Sequence, residues 1–155
     1  MEINVTKKEY RALLTILEIA NWVMHAHKTE EPKDTQVYRD FEQKIFALAK
    51  EFDCEHLIVY DSNLKRFFPT REFEETSPGM EYVEEFENDS FWAELIHRLV
   101  ERDVVRQFGE KAFLDLDLME RFKQEEPYER KYAEEFEANG IERLEIVEQH
   151  KSSAY

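Results

Sequence analysis

The chain has 155 residues, of which 42% are hydrophobic, 14% aromatic and 37% charged, with a formal net charge of −15. That apolar content excludes a disordered chain, and three Gly and four Pro are too few turn-formers for an all-β sandwich or barrel. The charge disfavours direct binding of nucleic-acid phosphates and of anionic lipid surfaces, and suits a basic protein partner or a bound cation.

These bounds predict a mainly α fold of about five helices, with at most a small β-hairpin or a two- to three-stranded β element. No repeat or Gly/Ser-rich linker marks a second domain, so residues 1–149 read as one acidic helical domain and 150–155 as a frayed tail. Cys54 is the only cysteine, which excludes an intramolecular disulfide and fits a reducing compartment. Met1–Lys8 holds no apolar signal core, and no run approaches ~18 apolar residues, so a cytoplasmic protein without a membrane span is expected.

Thr6 and Glu9 form a capping-box pattern that opens a helix reaching about Ala26. At ~100° per residue, Tyr10, Leu13, Leu14, Leu17, Ala20 and Met24 share one face, widened by Ile16, Ile19 and Val23. Trp22 falls on the opposite, polar side with Arg11, Thr15 and Glu18. Residues 28–35, with Pro32, read as a polar loop. A second helix is expected from Asp34 or Thr35 to about Phe52, its stripe made by Val37, Phe41, Ile45, Leu48 and Phe52. Phe46 lies opposite that stripe. The short loop predicts that these two helices pair as an antiparallel hairpin.

The apolar run Leu57–Tyr60, the turn signal Asp61-Ser62-Asn63 and Arg66-Phe67-Phe68 predict a β-hairpin or an irregular arm, although a helix continuing through Tyr60 fits the short run as well. The stretch from Arg66 to Phe73 corresponds to no family motif. Ser77-Pro78 predicts a short helix to about Glu87, and Asp89 or Ser90 caps the next. Trp92, Leu95, Ile96, Leu99 and Val100 form that next helix's apolar set, ended near Gly109. Further helices are expected over Leu116–Phe122 and from Pro127 to Asn139-Gly140, carrying Tyr128, Tyr132 and Phe136. The alternation at Leu144-Glu145-Ile146 suggests a final strand over Ile141–Val147, pairing with 57–60.

No metal or cofactor site is predicted. Glu94 and His97 make E-x-x-H, the spacing of di-iron bundles, but no second copy exists. They lie roughly 170° and 130° from the centre of the apolar stripe, facing solvent. His25 and His27 do not share a helical face. Glu18 and His25 are neighbours on the edge of the apolar face, and a metal or acid–base role there requires ligands from elsewhere. Asp61, Asn63 and Glu72 occupy three calcium-loop positions, yet Lys65 and Arg66 place two cations inside the loop, which excludes an EF-hand. Cys54 and His56 lack the orienting group and oxyanion pocket of a thiol nucleophile. Phosphate-cradling glycine motifs and the serine nucleophile elbow are absent from the sequence.

The outstanding feature is the segment Glu72–Asp89, which holds eight acidic residues and no Lys, Arg or His. Tyr82, Val83 and Phe86 either cover the core while Glu81, Glu84, Glu85 and Glu87 face out, or the interleaved aromatics Phe73, Tyr82 and Phe86 anchor a docked basic surface. The functional expectation is a non-catalytic interaction or regulatory protein. Glu81, Glu84 and Glu85 would steer a basic partner. The misplaced aromatics Trp22 and Phe46 require cover, either from the C-terminal helix and the 57–70 arm or from a partner chain, which they would then anchor, a second copy in a homodimer included. The alternative is a small helical metal- or ligand-binding protein or enzyme using Glu18, His25, Glu94 or His97.

Overall fold

The computed structural model describes residues 3–29 and 33–146. Among them are six α-helices and one two-stranded β-hairpin: a mainly α fold with a small β element, as expected. No described helix is long and apolar enough to cross a membrane. The chain divides into two compact units, Met1–Phe86 and Glu87–Tyr155. The boundary falls within a helix rather than in a linker.

In the first unit, α1 (Lys7–His25) starts with the predicted capping box. The Thr6 hydroxyl accepts from the Glu9 amide at 3.3 Å, and the Glu9 carboxylate accepts from the Thr6 amide at 2.8 Å. The buried line of α1 is Tyr10 and Leu14, one turn apart. Extended by further turns, that line carries Glu18, Trp22 and His25. The polar side assigned from periodicity is therefore turned inward over the second half of the helix. Ile16 and Val23, expected to widen the core face, are exposed.

The second predicted helix is shorter than expected. It comprises α2 (Gln36–Phe46) and then a separate 3-10 turn, Ala49–Phe52. Asp53 follows in the left-handed region at φ 50, where a short polar side chain is tolerated. The tightened segment places Phe52 in a parallel stack on Tyr10, with ring centroids 4.4 Å apart. Of the expected stripe, Ile45, Leu48 and Phe52 pack against the core, but Val37 and Phe41 are exposed, and Arg39 and Phe46 are buried instead.

The cause of that rotation is the hairpin of β1 (Ile58–Asp61) and β2 (Arg66–Pro69), which was expected at this place. β2 lies against α2. The Gln43 amide accepts from Phe67 N–H at 2.8 Å and donates to Phe67 C=O at 3.0 Å. One side chain thus satisfies backbone groups of a strand that has only one partner strand. The side of α2 that carries Gln43 and Phe46 must then face the hairpin. Asp61 shapes the turn by accepting from the amides of Asn63 and Leu64 at 2.8 and 2.9 Å. This carboxylate thus serves the backbone of the turn. Thr70 caps α3 (Arg71–Thr76), which inserts Phe73 into the core. Tyr10, Leu14, Phe46, Ala49, Cys54, Leu57, Ile58 and Phe73 form one apolar cluster.

α4 (Gly79–Phe108) runs without interruption for 30 residues. The helix break expected near Glu87–Ser90 does not occur. Asp and Ser cost only tenths of a kcal/mol in a helix interior, roughly 0.5 each, and neither removes a backbone donor. Gly109, at φ 80, ends the helix as expected.

The second unit packs the later part of α4 with α5 (Glu110–Leu114) and α6 (Leu118–Asn139). Its core is Val100, Val104, Phe113, Tyr132 and Phe136, with the predicted Trp92, Leu95, Ile96 and Leu99 packed against it. The two helices expected at 116–122 and 127–139 are one: Pro127 sits inside α6. An interior proline removes a backbone bond at a cost of about 3 kcal/mol, which apolar packing of the flanking helix can offset. Tyr128, Tyr132 and Phe136 supply that packing on one side. No strand forms at 141–146. The Glu142 and Leu144 amides bond back to Asn139 and Ile141, making turns. Val147 and the tail 150–155 lie outside the described residues, as does the middle of the 28–35 loop.

Candidate functional site

A cleft of about 730 Å³ opens in the first unit. That volume falls within the range of small-molecule sites, about 300–1,000 Å³. Leu14, Phe46 and Phe73 form its apolar base. α1 contributes Glu18, Trp22 and His25, α2 contributes Arg39, Glu42 and Gln43, and β2 contributes Arg66, Phe67 and Phe68. The α1 and α2 sets are each one face of their helix, whereas the consecutive β2 residues alternate between faces. On α1 the spacing is four, then three; on α2 it is three, then one.

Two sequence candidates, Glu18 and His25, therefore do line one site, joined by Trp22. Each is tied to protein groups. Ser77 donates its hydroxyl to Glu18 at 2.5 Å, and the same Ser77 oxygen accepts from the Gly79 amide at 3.2 Å. A Cβ on Gly79 would meet the Glu18 carboxylate at 2.1 Å, so a larger residue there would displace the Glu18 side chain from Ser77. His25 Nε2 lies 2.9 Å from the Thr35 hydroxyl and 3.3 Å from the Arg39 guanidinium, which only donates. Nε2 must then accept, and Nδ1 carries the proton towards Asn21 Oδ1 at 2.7 Å.

Arg39 is buried, donating to Thr35 at 2.7 Å and to Gln36 at 2.9 Å. Glu42 is half-buried, and burial lifts its carboxyl above the usual carboxylate range against the pull of the Arg66 and Arg39 guanidinium groups. It accepts no hydrogen bond among the described residues. Arg39, Glu42 and Arg66 were not singled out in the sequence. The available signal was positional: the line begun by Tyr10 and Leu14 turns polar at Glu18 instead of ending.

The remaining candidates are not brought together. Glu94 and His97 are exposed, and Glu94 pairs with Arg98 at 2.6 Å. Cys54 is sealed in the core with its thiol directed to Phe52 C=O at 3.3 Å, whereas exposed His56 lies 3.1 Å from Arg11. Among the described residues, no three His, Cys, Asp or Glu side chains converge as a metal site. Phe46, expected to anchor a partner, is only 4% exposed and forms part of the cleft base, so it offers a partner nothing. Trp22 remains 39% exposed at the rim.

On the first turns of α4, Glu81, Glu84 and Glu85 face solvent and have no ion pair among the described residues. Val83 alone turns to the core there; Tyr82 and Phe86 take the outward of the two expected placements, 57% and 68% exposed. Tyr82 and Phe86 are one turn apart on the same helical face. Comparison with protein-family models, curated proteins and solved structures returns no match for this chain.

Proposed function

We propose that this is a non-catalytic interaction module that docks a basic protein segment on the first turns of α4. The observation that carries this reading is the exposure of Tyr82 and Phe86 one turn apart, among Glu81, Glu84 and Glu85. Two rings present apolar area that gains from burial, and unpaired carboxylates beside them raise the encounter rate with cations. A second copy of the chain is disfavoured at this face, because both surfaces would bring the same carboxylates together. The net charge of −15 supports a protein partner over nucleic acid, and the free, buried Cys54 supports a reducing, cytoplasmic setting.

The test is fluorescence anisotropy with a labelled peptide of alternating Lys and Leu, titrated at low and at physiological salt. Binding is expected to weaken steeply with salt. The triple variant Glu81→Lys, Glu84→Lys, Glu85→Lys should lower affinity about tenfold or more, and Phe86→Ala about fivefold. Unchanged affinity in both variants eliminates this face as the docking surface.

A further inference from the structure

The cleft of the first unit differs from the rest of the molecule in its charge. Its lining holds three carboxylates (Glu18, Glu42, Glu74) and three cations (Lys28, Arg39, Arg66), in a chain whose net charge is −15. A balanced lining does not favour polyanions such as nucleotides, nor polycations. Within it, Glu42 on α2 and Arg66 on β2 are near enough for Arg66 to act on the Glu42 carboxyl. They nevertheless do not close to an ion pair. Elsewhere exposed pairs do close: Arg71–Glu75 at 2.7 Å, Arg98–Glu94 at 2.6 Å, Lys123–Glu120 at 2.7 Å. A carboxylate and a guanidinium held apart on facing elements leave one acceptor group and one donor fork open to whatever lies between them.

The surroundings are aromatic. Trp22 stands at the rim, Phe67 and Phe68 belong to the strand that carries Arg66, and Phe46 and Phe73 lie at the base. Such a lining takes an apolar body, with few polar groups fixing its orientation.

We propose that this cleft binds a small zwitterion of the amino-acid class with an aromatic or branched side chain. Glu42 receives the ammonium, Arg66 the carboxylate, and the side chain enters among Trp22, Phe67 and Phe68. Burial of the Glu42 carboxyl is consistent with this role. It makes ionised Glu42 costly in the empty cleft, and an ammonium partner relieves that cost. The site is independent of the acidic face of α4, and neither reading requires the other.

The experiment uses the full chain and follows the Trp22 indole N–H signal by NMR, assigned with Trp22→Phe. The probe is L-phenylalanine, set against phenethylamine, which lacks the carboxylate, and 3-phenylpropionate, which lacks the ammonium. L-phenylalanine is expected to move the Trp22 signal to saturation, with each single-charge analogue about tenfold weaker or more. Glu42→Gln and Arg66→Gln should each lower L-phenylalanine affinity by a similar factor. The analogue series on the native chain decides the matter even where a variant fails to fold. Three results overturn the proposal: no saturable shift with millimolar L-phenylalanine, L-leucine or L-tryptophan; either analogue binding as well as L-phenylalanine; or both folded variants binding as the native chain does.

Discussion

The two units differ in what some of their half-buried charged groups do. In the second unit, the polar groups that reach the core close on one another. Tyr132 donates to Asp103, and Arg102 donates to Tyr132 at 3.0 Å and to Asp103 at 2.8 Å. Arg102's hydrogen bond holds the Asp103 carboxyl below the usual range, and burial raises the Tyr132 phenol. In the first unit Arg39 closes on Thr35 and Gln36 and Glu18 on Ser77, but Glu42 and Arg66, which line the cleft, make no hydrogen bond among the described residues. A closed network serves the fold alone, whereas an open one retains free energy that a ligand can release. The same contrast holds for the cores. The second cluster follows helical periodicity, while the first joins residues as distant as Tyr10 and Phe73 across helices and a hairpin.

The largest effect that tests this contrast is expected from Leu14→Ala. Leu14 is buried at the base of the cleft, and its truncation should cost about 2–5 kcal/mol. Native-state hydrogen exchange should show the loss in α1 and the hairpin. Equal loss across α6 would mean that the two cores do not respond separately. A smaller effect of opposite sign is expected from Pro127→Ala in α6. Restoring the missing backbone donor should stabilise the chain by about 2–3 kcal/mol in urea unfolding, less any gain in unfolded-chain entropy. No stabilisation would show that α6 is already bent to accommodate the ring.

The smallest effect is a pair of opposed pH slopes. The Glu42 carboxyl is raised above 4.5, so its ionisation opposes folding. The native chain should match Glu42→Gln below about pH 4 and become the less stable of the two as pH rises through the folded value. The Asp103 carboxyl is lowered from 3.8, so its contribution is present above that value and is lost as pH falls through the folded one. The native chain should therefore exceed Asp103→Asn at neutral pH and lose that margin in acid. Each difference should be within about 1 kcal/mol for groups this close to solvent. Slopes of the same sign would contradict the division into an open and a closed polar site.

Much of the architecture was legible from local signals. The Thr6–Glu9 capping box, the hairpin between Leu57 and Pro69, the stop at Gly109 and the Trp92–Val100 stripe all stand where short-range chemistry puts them. Glu18 and His25 were recognised as neighbours, but their cleft was not, because its other walls come from α2 and β2. The acidic run was legible as composition, but whether Tyr82 and Phe86 cover the core or turn outward was left open by local pattern, because it depends on what packs against α4.

The sequence by itself determined the mainly helical class, the caps and turns, and the excess of carboxylates on the surface. Each of these follows from interactions within a few residues of the chain. Tertiary structure alone decided that Phe46 is buried, that α1 turns its polar side inward beyond Leu14, and that α4 and α6 run through Ser90 and Pro127. Local preferences at those positions amount to roughly 0.5–3 kcal/mol, comparable to the burial of one or two large side chains, so packing sets the outcome.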